Sequence, residues 1–356
     1  MQQVDVIIIG QGLAGTALAW ELRSRGSRIA IIDPGLPETC SRSAAGLVTP
    51  VTGLRATLSW RWRETWNKAT TFYPAIERRL ATRFWHVQPS VRLYQSAQQR
   101  LDFEQRFKQW PEVGIQSPYP WPQPCPPPGI IHAPHGAFSM APAARLDTAR
   151  YLDASRAYFR RTAIVREAHF DWTDIVSRDN DQFALPRHGL ETAHLVSCQG
   201  MAATCGPFQR LNLQPARGDI LSLQCERLDL RHVLHGQTWL IPDDTSPASY
   251  LAGSTYDRDN LDCRDQGGQR ARLEQRLQRF LLAPFSVTGQ RSGVRPTTTD
   301  QKPLLGAHPH MPHLWVFNGL GSKGAVLAPW SAAHLATAML DSHPVDRELD
   351  WLRGPA

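Results

Sequence analysis

Residues Val4–Asp33 read VDVIIIGQGLAGTALAWELRSRGSRIAIID. Val4, Val6, Ile7, Ile8 and Ile9 make a short apolar run, as a strand covered on both faces carries. Gly10, Gly12 and Gly15 follow in G-x-G-x-x-G spacing. The first glycine permits a tight turn, the second lets the backbone approach a pyrophosphate, and the third lets the next helix lie close on the strand. Residues Ala14–Arg25 have helical spacing, with Leu13, Ala17, Leu18 and Leu22 on one side. The N-terminus of that helix offers unpaired N–H groups and a partial positive charge to phosphates. The second strand, Ile29–Ile32, ends at Asp33, placed to accept hydrogen bonds from a ribose. Strand, turn, helix, strand and terminal acid agree, which predicts a dinucleotide site. The motif alone does not separate FAD from NAD.

Composition sets the frame around this unit. The chain has 356 residues, enough for about two domains. Hydrophobic residues make up 42% and charged residues 20%, as in a globular protein. No apolar run approaches the ~18 residues of a membrane span. The first residues enter a strand without a basic leader, so a cytoplasmic protein is expected. Six cysteines, Cys40, Cys125, Cys198, Cys205, Cys225 and Cys263, are scattered without C-x-x-C or zinc spacing. They read as thiols in a reducing compartment, and no metal site is expected. Net charge is +7, and the only lysines are Lys68, Lys108, Lys302 and Lys323. That balance suits an anionic substrate or an RNA, and equally an ordinary arginine-rich surface.

After Asp33, the loop Pro34–Gly46 is rich in small residues, including Ser41, Ser43, Ala44, Ala45 and Gly46. Helices are predicted over Leu58–Arg79, Gln98–Trp110, Leu146–Arg161 and Gly267–Leu282. Strands are predicted at Val91–Gln95, Ala163–Ala168, Ala193–Ser197, Ala216–Leu223, Thr238–Pro242, Tyr250–Ala252 and Leu314–Phe317. Pro111–Pro134 holds nine prolines and reads as a long ordered loop or lid, with Tyr119, Trp121, Ile130 and Ile131 to bury. Six of the twelve tryptophans lie between Trp60 and Trp121. They suit a core or pocket wall, or a surface on which bases stack.

A second glycine loop closes the chain, Leu314–Pro329, LWVFNGLGSKGAVLAP. Gly319, Gly321 and Gly324 allow close backbone approach to a flat ligand. The helix behind it is expected to begin near Ala328–Pro329, since proline suits a first turn. Its N-terminus would face the charge that develops on a flavin during reduction.

With these blocks in view, the chain resembles the FAD-dependent D-amino-acid/glycine/sarcosine oxidase (DAO) superfamily. The resemblance rests on Val4–Asp33, His194–Gly200, Gly293–Gly306 (GVRPTTTDQKPLLG) and Asn318–Pro329. The last block is most similar to the oxidase half of the bifunctional enzyme that modifies the tRNA wobble uridine; no counterpart of its methyltransferase half is expected here. The implied fold is α/β: a Rossmann-like FAD-binding domain (residues 1–60, 140–210 and 290–356) interleaved with a smaller antiparallel-sheet substrate domain (61–139 and 211–289).

The resemblance also implies a site. Gly10, Gly12, Leu13, Ala14, Gly15 and Asp33 would hold the ADP half of FAD. Ser41, Ala44, Ala45 and Gly46 would line the pyrophosphate and flavin. Val165 would touch the adenine, and Gly200 would end the strand beneath the cofactor. Asn318, Gly319, Gly321, Ser322, Lys323 and Gly324 would surround the flavin's pyrimidine side. Arg295 would hold the substrate carboxylate, which a guanidinium grips bidentately. Lys323 would contact substrate, flavin or an oxygen intermediate, and Arg55 and Tyr250 would complete the substrate pocket; Tyr256 is a further candidate. No cysteine follows Cys263, so non-covalent FAD is expected. The block TPVTGLRATLSW is unlike glycine oxidase and leaves the substrate open. The implied reaction is oxidation of the C–N bond of a small amine or amino acid, with hydride passing to flavin N5, imine hydrolysis and reoxidation by oxygen. The alternatives are oxidation of a wobble-uridine side chain on tRNA, or a dehydrogenase with another electron acceptor.

Overall fold

The computed structural model describes residues 1–53, 56–111, 113–119, 129–177, 182–243, 246–264 and 267–354. Arg55, Trp121 and Cys125 lie outside the described residues, as does the proline run at 120–128.

The strand Gln2–Ile9 is central to the first sheet. It pairs in parallel with Ile29–Ile32 on one side and Leu190–Ser197 on the other, so that Ile7 stands beside Ala30 and Leu195. Ile164–Arg166 and Met311–Asn318 extend the parallel set outward. Antiparallel strands, among them Leu304–His308, finish the edges of this eight-stranded sheet. The apolar run has no polar face because both sides are covered. Val6 and Ile8 pack with Leu18 and Leu22 of the helix Leu13–Ser24 and Leu335 of the helix Gly324–Leu340. Val4, Ile7 and Ile9 join Phe208, Leu314 and Trp351 on the other side.

A second eight-stranded sheet contains Ser286–Arg295, Ala216–Gln224, Ser249–Gly253 and Trp239–Pro242 as antiparallel neighbours, and continues through Ser90–Leu93 to Ala137–Ala141 and Gly114–Gln116. The two faces differ. Leu221, Leu223 and Tyr250 pack under the helix Gly267–Gln278 through Leu273 and Leu277. Ile220, Ile241 and Leu251 face Ala45 and Leu47 from the loop after Asp33. The chain crosses between the sheets several times, so the two parts are interleaved along the sequence.

The helix Trp62–Leu80 shares the core of the first sheet, where Phe72, Tyr73 and Ile76 meet Leu18 and Val326. Trp62 and Trp85 are buried there and link through Trp66, with ring centroids 5.3 and 6.0 Å apart. These two rings are core, not a surface for stacking bases. Among the described residues, no helix is long and apolar enough to cross a membrane.

The C-terminal helix starts at Gly324, earlier than the proline suggested, and carries Pro329 inside. A proline there lacks the N–H that would bond the carbonyl four residues back, that of Ala325. Tyr73 supplies the missing donor: its O–H donates to the Ala325 carbonyl at 2.7 Å, with the tyrosine fully buried. Tyr73→Phe leaves that carbonyl without a donor and is expected to cost about 1–3 kcal/mol in chemical denaturation. Wild-type stability of the variant would show that the helix tolerates Pro329 by another route.

Candidate active site

The first glycine turn is built on close backbone approaches. Gly10 has φ +93°, and a Cβ there would meet the Cys198 carbonyl oxygen at 2.7 Å. A Cβ on Gly15 would lie 1.9 Å from the Gly10 oxygen, so the helix can sit on the strand only if residue 15 is glycine. The helix that follows has no side-chain cap from Gly12; the Leu13 N–H donates to Ser41 Oγ at 3.1 Å. Asp33 accepts from the Gln11 N–H and the Gly35 N–H, each at 2.8 Å. It also pairs with Arg156 at 2.6 Å. Arg156 comes from the helix Thr148–Thr162 and was not visible as a site residue in the sequence. Its Nε and the Gln11 Nε2 are buried without a hydrogen-bond partner among the described residues.

One cavity of about 1150 Å³ runs from this turn to Arg295. Gly10, Gly12, Leu13 and Ala14 line it, and so do Asp33, Ser41, Ala44, Ala45 and Gly46. Gly200, Asn318, Gly321, Ser322 and Gly324 line it from the other side. The two glycine-rich segments therefore meet around a single space. Asn318 braces the second side: its Nδ2 donates to the Gly200 carbonyl at 2.8 Å, and its Oδ1 accepts from the Gly319 N–H at 2.8 Å. The Gly321 N–H donates to the Pro296 carbonyl at 3.1 Å, which fastens the last loop to the Arg295 strand.

Several expected residues lie off the wall. Gly15 and Gly319 act through packing; a Cβ on Gly319 would press on the Leu304 nitrogen at 3.0 Å. Val165 stands inside its strand beside Ile31, and the cavity is lined instead by Glu167, Ala168, His169 and Phe170 just beyond it. Lys323 is the half-buried residue before the C-terminal helix, its pKa lowered by burial, and is not among the lining residues. Tyr250 points the wrong way. Side chains alternate along a strand, so Leu251 takes the face towards the cofactor part and Tyr250 the opposite one, where its O–H donates to the Leu228 carbonyl. Lys302 pairs with Glu348 at 2.8 Å.

Arg295 closes the far end of the cavity. Its Nη2 donates to Ser254 Oγ at 2.8 Å, and its Nη1 donates to the carbonyls of Thr255 and Arg217 at 3.3 and 3.4 Å. The Tyr256 ring lies beside it, 5.8 Å from the guanidinium carbon. Burial pulls the Arg295 pKa down, opposed by Cys40, Tyr256 and Asp219; an arginine stays charged regardless. No carboxylate among the described residues lies within ion-pair distance, and its partners are a hydroxyl and two carbonyls. The floor beneath it is Gly218, where a Cβ would fall 1.8 Å from Nη2. Sequence reasoning passed over Gly218, for which a glycine inside an otherwise regular strand, ARGDILSL, is the signal that could have found it. Among the described residues, no group of three or more His, Cys, Asp or Glu side chains forms a metal site.

The close approach at Gly15 is open to test. Gly15→Val must push the helix off the strand, and the purified variant is expected to carry far less flavin per chain than wild type by visible absorbance. Equal flavin content would show that the turn does not depend on that contact.

The chain was compared with known proteins. Residues 5–338 match the family described as FAD dependent oxidoreductase, DAO. The tRNA 5-methylaminomethyl-2-thiouridine biosynthesis bifunctional protein MnmC of Caulobacter sp. (strain K31) is 27% identical over 369 residues, covering 98% of this chain and 56% of that protein. This chain thus spans little more than half the length of that relative. The glycine oxidase of Pseudomonas aeruginosa is 25% identical over 362 residues, covering 96% of each. The crystal structure of glycine oxidase from Geobacillus kaustophilus shares the fold, with a TM-score of 0.81 over 100% of both chains at 21% identity. A match running nearly from end to end makes this chain a member of the FAD dependent oxidoreductase (DAO) family.

Proposed function

We propose that the protein binds FAD non-covalently along this cavity and oxidises the C–N bond of a small amine or amino acid that carries a carboxylate. The donor set suits the cofactor. Gln11 Nε2 and Arg156 Nε are buried donors without a hydrogen-bond partner among the described residues, beside a helix start that Gly12 leaves without a side-chain cap and an acid at the ribose end. A volume of about 1150 Å³ exceeds the roughly 300–1,000 Å³ of ordinary ligand clefts, leaving room for a substrate beside a long cofactor. When bound, FAD would supply the two-electron acceptor for this oxidation, with oxygen as the final oxidant.

The single observation that carries the substrate reading is Arg295. A half-buried cation whose partners among the described residues are a hydroxyl and two carbonyls completes its charge balance with an anionic ligand. A bidentate grip fixes the substrate's orientation, which is much of what a hydride transfer requires. Ile220, Trp239 and Leu47 line the wall near it and limit water there. Water then hydrolyses the substrate imine to an oxo acid and an amine or ammonia. A cytoplasmic setting belongs to the same reading.

A second reading is favoured by one relative and by charge. The bifunctional protein is named for tRNA 2-thiouridine biosynthesis, and this chain carries a net charge of +7. Here the substrate amine would sit on a tRNA wobble uridine, and binding would weaken steeply with salt. An anaerobic screen of flavin bleaching with amines, amino acids and tRNA at two salt concentrations separates the two. Salt-independent bleaching by a free amino acid supports the first reading, and bleaching by tRNA alone the second. Arg295→Ala is expected to lower kcat/KM for a carboxylate substrate by about 1.5–3 kcal/mol, or roughly 10- to 150-fold, mainly through KM. An unchanged KM would remove the assigned role.

A further inference from the structure

The face of the second sheet that points away from the cavity carries a buried ion pair. Arg217 and Asp219 are both fully buried, with Arg217 Nη2 donating to Asp219 Oδ1 at 2.8 Å. They flank Gly218 on the strand Ala216–Gln224, so their side chains leave the strand opposite to the side on which Arg295 rests. The Asp219 carboxylate also accepts from Gln290 Nε2 at 3.0 Å, from Ser292 Oγ, and from Thr255 Oγ1 at 2.8 Å. Thr255 Oγ1 in turn accepts from the Asp219 N–H at 2.9 Å. Burial works to raise the Asp219 pKa, and the bonds from Arg217, Ser292, Thr255 and Gln290 outweigh it, so the group stays a carboxylate.

These donors belong to the three segments that build the Arg295 cradle. Gln290 and Ser292 lie on the strand that carries Arg295 itself. Arg217 and Thr255 are the two residues whose carbonyls accept from Arg295 Nη1. We propose that Asp219 is a positioning residue: from the back of the sheet it staples these three segments together, and so sets the direction in which Arg295 presents its guanidinium to a carboxylate. This rests on the reading of Arg295 as the carboxylate anchor. Asp219 itself stays out of the cavity. Its effect passes through two backbone carbonyls, which move only if the segments bearing them move. A shift of that kind matters because misplacement by about 1 Å costs on the order of 100-fold in a reaction that depends on orientation.

The test uses the FAD-loaded protein and acetate as the probe, with its Kd read by titration calorimetry. Asp219→Asn removes the charge that balances Arg217 and carries a risk to folding. Thr255→Val is the decisive variant, because it cuts one arm of the staple and leaves the ion pair in place. Thr255→Val is expected to weaken acetate binding about tenfold, the scale of one lost charge-assisted contact. Its FAD content should stay close to wild type, while the Asp219 N–H left without its acceptor lowers the melting temperature. Thr255→Ser keeps the hydroxyl and should restore the wild-type Kd, which a general loosening of the fold would not do. Arg295→Ala serves as the reference and should abolish acetate binding. If Thr255→Val and any folded Asp219→Asn bind acetate like wild type while Arg295→Ala does not, the staple is not a positioning device. If Arg295→Ala also binds like wild type, the anchor reading fails and the staple proposal falls with it.

Discussion

The contact between Gly10 and Gly15 leaves no space for a side chain, since a Cβ on Gly15 would lie 1.9 Å from the Gly10 oxygen. Close packing of that kind is sensitive to a single methyl group. It brings the start of the first helix to the end of the central strand, with Gly10–Ala14 on the cavity wall. The neighbouring strand Leu190–Ser197 runs parallel to it and delivers Cys198 and Gly200 to the same edge. Met311–Asn318 runs parallel beyond that strand and delivers the last glycine loop. Ligands of open parallel sheets bind at the carboxyl ends of the strands, and here three such ends converge.

Among the described residues, two of the four arginines on the cavity wall, Arg156 and Arg295, show how charge is divided along it. Arg156 has its carboxylates in place, Asp33 at 2.6 Å and Glu167 at 3.3 Å. The other acidic lining residues, Glu38 and Asp153, sit in that same region, where Asp153 pairs with Arg42 at 2.6 Å. Arg295 has a hydroxyl and two carbonyls instead. A desolvated cation without a carboxylate is costly unless a ligand completes it. The same chemical group is therefore paired with carboxylates at one end and left with neutral partners among the described residues at the other.

Much of this was legible in the residues, and the failures have physical causes. The Val4–Asp33 unit was readable because strand, turn and helix each depend on neighbours close in sequence. The Asn318 loop was readable for the same reason. Pro329 misled because the carbonyl it leaves free, that of Ala325, is met by Tyr73, 252 residues from Ala325, and no local pattern reports such a donor. Tyr250 failed on parity: a strand shows which residues share a face, and tertiary packing decides which face meets the cavity. Arg156 sits in an amphipathic helix where any exposed arginine looks alike until Asp33 is seen beside it. Gly218 was quoted only as part of a strand, and its meaning came with the guanidinium that occupies the space of its missing side chain.

The central claim is that one cavity, closed by glycine-rich backbone from both ends of the chain, holds one FAD without a covalent bond. The most direct measurement is the visible spectrum of the purified or FAD-reconstituted protein, followed by heat precipitation and analysis of the supernatant. The account predicts flavin bands at close to one FAD per chain, with all of the FAD released on precipitation. A protein that stays colourless after reconstitution, or that retains its flavin in the pellet, would contradict it.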